Sequence, residues 1–309
     1  MSGTVYFADC LEVLKTLPNE SVHLVVVDPP FNTGDFQTDG TSGITYLDSK
    51  FDYIDWMKQC IVECKRIMTP NGSIYVHLGE KISYKVRLLV MDEVFGEKNW
   101  LNTIIWHFDY GGRSKRMWSR KHETILMYAK DAKNYVFNYD SIDRIPYMAP
   151  GLQKDKTRVE RGKPVTDTWW NSIVATNGEE RVHYPNQKPI RLYERIVKAS
   201  SNPGDVVLDF CCGSGTTLVA AHRQERSFIG IDNNEFAIEV MKGRFVKDGV
   251  EGCTFLGGEL ELVICNAAIC SALSPQSWDK KDEAVSCTLE QSHEGPHQCG
   301  EVKWAFLAQ

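Results

Sequence analysis

The sequence predicts an α/β fold: a mostly parallel sheet with helices on both of its faces. Three features carry that prediction, namely short runs of consecutive β-branched residues, apolar residues at helical spacing between the runs, and turns bearing proline or glycine at the joins. Residues 5–7 (VYF) read as a strand, and in the following DCLEVLKTL the positions Leu11, Val13, Leu14 and Leu17 give a helix its apolar side. HLVVVD, residues 23–28, is a strand with no polar face, as parallel strands covered on both sides require. Residues 51–68 carry Ile54, Met57, Ile61, Cys64 and Ile67 at helical spacing and end at the turn Pro70-Asn71-Gly72. A strand over 73–78, a helix over 82–94, a strand over 102–106 and an apolar run over 124–128 follow. Residues 131–183 then lose all periodicity and turn polar, basic and aromatic, with the pair Trp169-Trp170 near their end. Regular structure resumes in a helix over 190–200. The turn Asn202-Pro203-Gly204-Asp205 leads to a strand over 206–210, a helix over 216–224 and a strand over 228–232, a compact βαβ unit. Past Gly252 the chain holds eight acidic against three basic residues and five of the ten cysteines, which marks an appendix.

The chain thus divides at the sequence level into 1–130, an insertion at 131–183, a second half of the sheet at 184–252, and a Cys-rich appendix at 253–309. No apolar stretch nears the roughly 18 residues of a membrane helix. The opening MSGTVYFADC has neither a basic start nor a long apolar run, so the expected compartment is a reducing cytoplasm.

Charge is unevenly placed. Residues 107–165 hold thirteen basic against seven acidic side chains, a local +6 in a chain of net −6, so the remainder carries −12. Within that block RSKRMWSRK brings Arg113, Lys115, Arg116, Arg120 and Lys121 around Trp118, a composition suited to phosphates with an aromatic available for stacking. Lys154, Lys156, Arg158 and Arg161 extend the basic character into the insertion, although a plain solvated surface has the same composition.

Two loops carry chemistry. Asp209-Phe210-Cys211-Cys212-Gly213-Ser214-Gly215-Thr216-Thr217 joins a buried strand to a helix through glycines, which lets a ligand approach backbone N–H groups at the helix start. Asp232, ending the next strand, stands where such folds place a carboxylate against ribose hydroxyls. Gly-x-Gly alone suits NAD, FAD or S-adenosylmethionine, or simply a tight turn. The pattern Gly-x-x-x-x-Gly-Lys-[Ser/Thr] is absent, which argues against ATP or GTP hydrolysis. The second loop, Asp28-Pro29-Pro30-Phe31, leaves the strand at 23–28 by its carboxyl end, where α/β active sites assemble. Two prolines stiffen that exit, and neither offers an N–H, so the Asp28 carboxylate and the Pro29 carbonyl form a fixed pair of acceptors for a primary amine. Such acceptors draw a ring-conjugated amine toward tetrahedral geometry and restore its lone pair. Phe31 offers a flat face for the same heterocycle. An ordinary Asp-Pro turn beside a core Phe is the alternative.

Together, DPPF, the downstream GSGTT loop and Tyr184-Pro185-Asn186-Gln187-Lys188-Pro189 resemble the motifs of the amino-directed DNA methyltransferases. The order, with the DPPF loop first, then a basic insertion, then YPNQKP and the glycine loop, is similar to their permuted β group. Residues 122–126 (HETIL) and 167–170 (DTWW) also resemble that group, and the likeness covers roughly residues 5–247. It implies a circularly permuted, Rossmann-like fold dependent on S-adenosyl-L-methionine. It further implies catalytic roles for Asp28, Pro29, Pro30 and Phe31, and cofactor contacts at Asp9, Lys188, Asp209, Phe210, Cys211, Gly213, Ser214, Gly215, Thr216, Thr217 and Asp232. Asp9 would lie near the cofactor's adenine and Asp232 near its ribose. The chain departs from the family at Asp209-Phe210-Cys211, where Asp-Pro-Phe or Asp-Phe-Phe is usual, and at Phe31, where Tyr is commoner. The resemblance also implies double-stranded DNA as substrate, a bacterial or phage origin, and a homodimer; no helicase or nuclease motif is present, so any restriction endonuclease partner would have to be a separate polypeptide.

The base follows in part from the residues. Methylation of cytosine carbon 5 needs the thiolate of a Pro-Cys pair, and no proline here precedes a cysteine. The resemblance leans to the 6-amino group of adenine over the 4-amino group of cytosine, because the leading residue of the motif is Asp28 rather than Ser. A DNA-binding protein that keeps the fold without transferring methyl groups, and a nucleotide-dependent oxidoreductase, are the competing readings. In the appendix, Cys287, His293, His297 and Cys299 form a set chemically able to bind zinc, though not at zinc-finger spacing, and no metal is assigned to it.

Overall fold

A computed structural model of the chain describes residues 2–257 and 262–264. In chain order its elements are β1 (Gly3–Phe7), α1 (Cys10–Thr16), β2 (Val22–Val27), β3 (Phe36–Thr38), β4 (Thr45–Leu47), α2 (Tyr53–Ile67), β5 (Met68–Leu78), α3 (Glu80–Val86), α4 (Asp92–Phe95), β6 (Trp100–His107) and β7 (His122–Ala129). They continue with β8 (Arg144–Ile145), α5 (Lys156–Arg161), β9 (Lys163–Pro164), β10 (Thr168–Trp170), α6 (Ile190–Ser200), β11 (Val206–Asp209), α7 (Thr216–Arg223), β12 (Ser227–Asp232), α8 (Glu235–Asp248), β13 (Cys253–Leu256) and β14 (Leu262–Ile264).

Ten strands form one sheet in the order β10-β6-β7-β5-β2-β11-β12-β1-β13-β14. Neighbours pair in parallel except where β7 enters between β5 and β6, and where β14 lies on β13. A mostly parallel sheet must be covered on both faces, and it is. Helices α1 and α2 with the α3–α4 segment bury one apolar layer, whereas α6, α7 and α8 bury the other. The run in β2 supplies both layers, Leu24 and Val26 facing one and Val25 and Val27 the other, all excluded from solvent.

Strand β11 pairs in parallel with β2, Val207 opposite Leu24 and Leu208 opposite Val25. Two strands far apart in the chain therefore deliver their carboxyl ends to one place. The connections leave β2 towards β5 on one side and β11 towards β12 on the other, and such a switch of direction opens a crevice above the strand ends.

Four features differ from the sequence expectation. Pro70-Asn71-Gly72 does not separate α2 from a strand; β5 starts at Met68, opposite Val22, and the pairing resumes at Ser73 opposite Leu24, so the turn is an excursion within the strand. The helix expected over 82–94 is broken into α3, a π-helical turn at Arg87–Met91, and α4. Thr168–Trp170, in the insertion without periodicity, is an edge strand parallel to β6, too short to show alternation although Trp169 is buried and Trp170 exposed. Cys253–Leu256, which the sequence places at the start of the appendix, pairs with β1 inside the sheet, and the compact unit runs through Cys265. Cys287, His293, His297 and Cys299 lie outside the described residues. Among the described residues no helix is long and apolar enough to cross a membrane.

Candidate active site

The loops after β2 and β11 line one cavity of about 500 Å³, together with the ends of β1 and β12 and the YPNQKP segment before α6. Pockets of about 300–1,000 Å³ hold small ligands. Asp28, Pro29, Pro30 and Phe31 meet Asp209, Cys211, Gly213, Ser214, Thr216 and Thr217 there, and Asp9, Lys188 and Asp232 line the same cavity.

The glycine loop owes its path to two left-handed residues. Gly213 (φ +48°) and Gly215 (φ +73°) adopt a conformation that side chains resist. Both also need the space: a Cβ on Gly213 would sit 3.3 Å from the Tyr184 ring, and one on Gly215 would sit 2.8 Å from Met241 Cγ. Arg244 of α8, buried, holds the loop from below by donating to the Ser214 carbonyl at 3.2 Å and to Thr216 Oγ1 at 2.7 Å. No sequence signal marks this residue's role, since one Arg in an amphipathic helix reads as solvated. Asp232 accepts from Gly213 N–H at 2.8 Å and from Asn234 N–H at 2.9 Å, tying the loop to the end of β12. Burial pushes its carboxyl up to about 6, against the pull of those two donors. Asp209 is pushed up to about 7 by the same cause, despite hydrogen bonds from Thr217 and from Cys211 N–H at 3.1 Å. Asp9 lines the cavity while its carboxylate caps α1, accepting from Leu11 N–H at 2.9 Å and Glu12 N–H at 3.3 Å. Phe210 points into the core beneath the loop, packed in the α1–α2 layer. It also borders the cavity.

On the other wall Asp28 Oδ1 is shielded from solvent and has no hydrogen-bond partner among the described residues. A buried carboxylate oxygen without a donor costs stability unless a ligand fills the gap. Phe31 lies over Gly79, where a Cβ would come within 2.9 Å of its ring, so the glycine ending β5 makes the room that Phe31 occupies. Lys188, which the resemblance assigns to the cofactor, lines the cavity with its ammonium beside two carboxylates. Its ammonium lies 3.4 Å from Asp28 Oδ2 and 3.1 Å from Glu123 Oε2, because a cation this deeply buried must be paired.

The basic residues split into two kinds. Arg113 pairs with Asp109 at 2.7 Å, Arg120 with Glu80 at 2.7 Å, Arg158 with Asp155 at 3.5 Å, and Arg161 with Asp140. Lys121 clamps the 109–121 loop by donating to the carbonyls of Tyr110, Gly111 and Gly112. Lys115, Arg116, Lys154 and Lys156 are exposed and make no ion pair among the described residues. Trp118, two residues after Arg116 in the same loop, is 97% exposed.

A sheet with one antiparallel strand near one edge, carrying a glycine loop and an acidic Pro-Pro loop at adjacent strand ends, is the framework of a methyltransferase that uses S-adenosyl-L-methionine, and residues 22–243 match the DNA methylase family, to which the chain belongs. Among its relatives are the type II methyltransferase M.HpaI of Haemophilus parainfluenzae, 36% identical over 79% of this chain and 74% of that protein, and the DNA adenine methyltransferase YhdJ of Escherichia coli (strain K12), 34% identical over 77% and 80%. Solved structures share the fold: the PvuII DNA methyltransferase, described as cytosine-N4-specific, with a TM-score of 0.59 and 20% identity over 84% of this chain and 89% of that one. M1.HpyAVI in complex with S-adenosylmethionine superposes with a TM-score of 0.55 and 22% identity over 79% and 99%. The cavity fits this cofactor on its own terms: Asp9, Asp28, Asp48, Asp209 and Asp232 give it an acidic lining, suited to a ligand that carries a sulfonium charge and ribose hydroxyls.

Proposed function

We propose that the chain methylates the 6-amino group of adenine in double-stranded DNA, as a permuted, β-group enzyme of the DPPF type. The observation that carries this reading is the unpartnered Asp28 Oδ1 beside Pro29 in the cavity it shares with the glycine loop. An exocyclic amine entering there donates one hydrogen to Asp28 and the other to the Pro29 carbonyl, while its ring stacks on Phe31. Both acceptors draw the nitrogen toward tetrahedral geometry. Bound S-adenosylmethionine supplies a methyl group that its sulfonium activates for attack by that nitrogen. Gly213, Ser214, Thr216, Thr217, Asp232 and Asp9 are the residues placed to hold the cofactor; Asp209 braces their loop. Because a base inside a duplex cannot reach the cavity, it must rotate out of the stack.

Adenine is favoured over cytosine by the leading Asp28 and by the resemblance to YhdJ at 34% identity, against 20% for PvuII. The order of the loops, β2 before β11, supports the permuted grouping. The same resemblance supports a homodimer, and the type II methyltransferases among the relatives support pairing with a restriction endonuclease on a separate polypeptide. Sequencing of DNA exposed to the enzyme, with modified-base detection, reads base and context together. N6-methyladenine at one recurring motif is expected. N4-methylcytosine would overturn the choice of base, and unmodified DNA the activity.

DNA contact is assigned to the 109–121 loop and the 131–183 insertion. Residues already paired within the protein give up an interaction to reach a phosphate, whereas Lys115 and Arg116 do not. Replacing both with Ala should weaken binding and reduce the slope of log K against log[salt] by about 1.8, at about 0.9 for each phosphate no longer neutralised. A titration of duplex DNA at several salt concentrations measures it, and an unchanged slope removes these two residues from the interface.

A further inference from the structure

The cavity wall opposite the glycine loop contains a line of charged and polar groups to which binding of the amine and of the cofactor gives no task. Lys188, with its side chain 8% exposed, approaches Asp28 Oδ2 at 3.4 Å and Glu123 Oε2 at 3.1 Å, and its ammonium stands 4.6 Å above the centre of the Phe31 ring. Glu123 Oε2 lies 2.8 Å from His77 Nε2, and His77 Nδ1 lies 3.2 Å from Tyr193 Oη. The pieces come from four places, β5, β7, α6 and the segment before α6, and converge on the two residues assigned to the target base.

We propose that Lys188, held in place by Glu123 and His77, is a positioning residue for methyl transfer: it pins Asp28 through Oδ2 as a carboxylate and so keeps Oδ1 free for the target amine. The inference rests on the proposed role of Asp28 as acceptor of that amine.

Counting donors supports it. An ammonium has three N–H groups and no lone pair, and Lys188 has Asp28, Glu123 and the face of Phe31 as its near neighbours. The cation therefore serves both residues that hold the base. Electrostatics point the same way. Burial raises the Asp28 carboxyl above the ordinary carboxylate range, and Lys188 is the main influence that limits the rise, with His77 second. Burial also works against the charges on Glu123 and Lys188. Lys188 and His77 nevertheless hold Glu123 down at about 2, and Asp28 and Glu123 hold Lys188 protonated. Glu123 is thus the counter-ion that makes a buried lysine tolerable. Its own negative charge acts on Asp28 in the opposite sense to Lys188. The hydroxyls of Tyr46 on β4, Tyr53 on α2 and Tyr193 on α6 and the Asp209 carboxyl on β11 also interact with Asp28, and none of these four is a cation; Lys50 and Asp48 line the same cavity.

Two substitutions should therefore move one quantity in opposite directions. Asp28 must be ionised to hold the amine, so the single-turnover methylation rate falls on the acid side as it protonates. Lys188→Met removes the cation and should shift that acid limb up by at least about one pH unit, an opposite charge at this range being worth about 1–3 units. The Kd for S-adenosylmethionine should stay within about threefold. Lys188→Arg, which keeps the charge, should restore the limb at least in part. Glu123→Gln removes the anion and should shift the limb down. A residue that only props up the fold would move neither. An unmoved limb in Lys188→Met, or a tenfold rise in cofactor Kd with the limb in place, overturns the proposal in favour of a cofactor contact. Should Lys188→Met not fold, Glu123→Gln decides alone: a limb that stays put or moves up overturns it. Asp28→Ala, run in parallel, tells failure of the acceptor role from failure of the positioning role. Activity in that variant sinks the role of Asp28, while its loss alongside an unmoved limb sinks only that of Lys188.

Discussion

Asp28→Ala is expected to bind S-adenosylmethionine and duplex DNA nearly as well as the native protein and to lose methyl transfer by at least about 10²–10³ in kcat, the range for deleting one preorganised electrostatic partner. The reason is the position of Oδ1, shielded and unpartnered among the described residues at the junction of the two loops, where it contributes nothing to the fold and is available only to a ligand. Loss of the carboxylate leaves Lys188 still paired with Glu123 at 3.1 Å, so no isolated buried charge is created and the variant should fold. Asp28→Asn keeps one carbonyl oxygen as a neutral acceptor and should fall between the two, provided the amide turns its oxygen to the substrate. Single-turnover methylation of an unmethylated duplex, with cofactor affinity by calorimetry, measures both parts of the expectation. More than a tenth of the native rate in Asp28→Ala would mean that the amine is held elsewhere.

Much of this site is legible in the sequence because its parts are local. DPPF and the GSGTT loop each declare a strand end, and the fold class places strand ends of a parallel sheet on one edge, so their meeting follows from topology. What the sequence hides depends on burial of groups that look solvent-seeking. Arg244 and Lys188 are charged residues enclosed by the fold, and α8 has no clear signature because Phe236 and Val246 face solvent while Arg244 faces inward, which inverts the pattern expected of an amphipathic helix. HETIL and NQKP resemble family motifs, yet nothing in their spacing links Glu123 to Lys188, since an ion pair between residues so far apart in the chain has no local signature. Lys121 shows the converse. In a basic run it reads as a free cation, whereas its ammonium is engaged by three carbonyls of its own loop.

Gly215→Val should be the most damaging single change to the cofactor side. The residue has φ +73°, where a β-branched side chain costs about 1–2 kcal/mol, and its Cβ would start 2.8 Å from Met241 Cγ and 3.1 Å from Phe245 Cε1. Those atoms belong to α8 and are themselves fully packed against the sheet, so they yield only at an overpacking cost of about 1–3 kcal/mol. A loss of about 2–5 kcal/mol lowers Tm by roughly 3–8 °C in a chain of this size, at about 2 cal/mol/K of unfolding entropy per residue. The strain also reaches the ligand: Gly215 N–H donates to the Cys212 carbonyl at 2.7 Å, and that turn sets the course of Gly213, whose own N–H is held by Asp232. Cofactor affinity should therefore fall together with stability. Gly243→Ala in α8 is the matched control, because that glycine is helical, exposed and, among the described residues, has no atom within 4 Å of its would-be Cβ. It should raise stability by about 0.5–1 kcal/mol and leave cofactor binding alone. Thermal unfolding with and without S-adenosylmethionine tests the pair. Equal Tm values for Gly215→Val and the native protein would show that α8 can move aside, and with it that the glycine loop is not held in the fixed course that the acceptor pair opposite it requires.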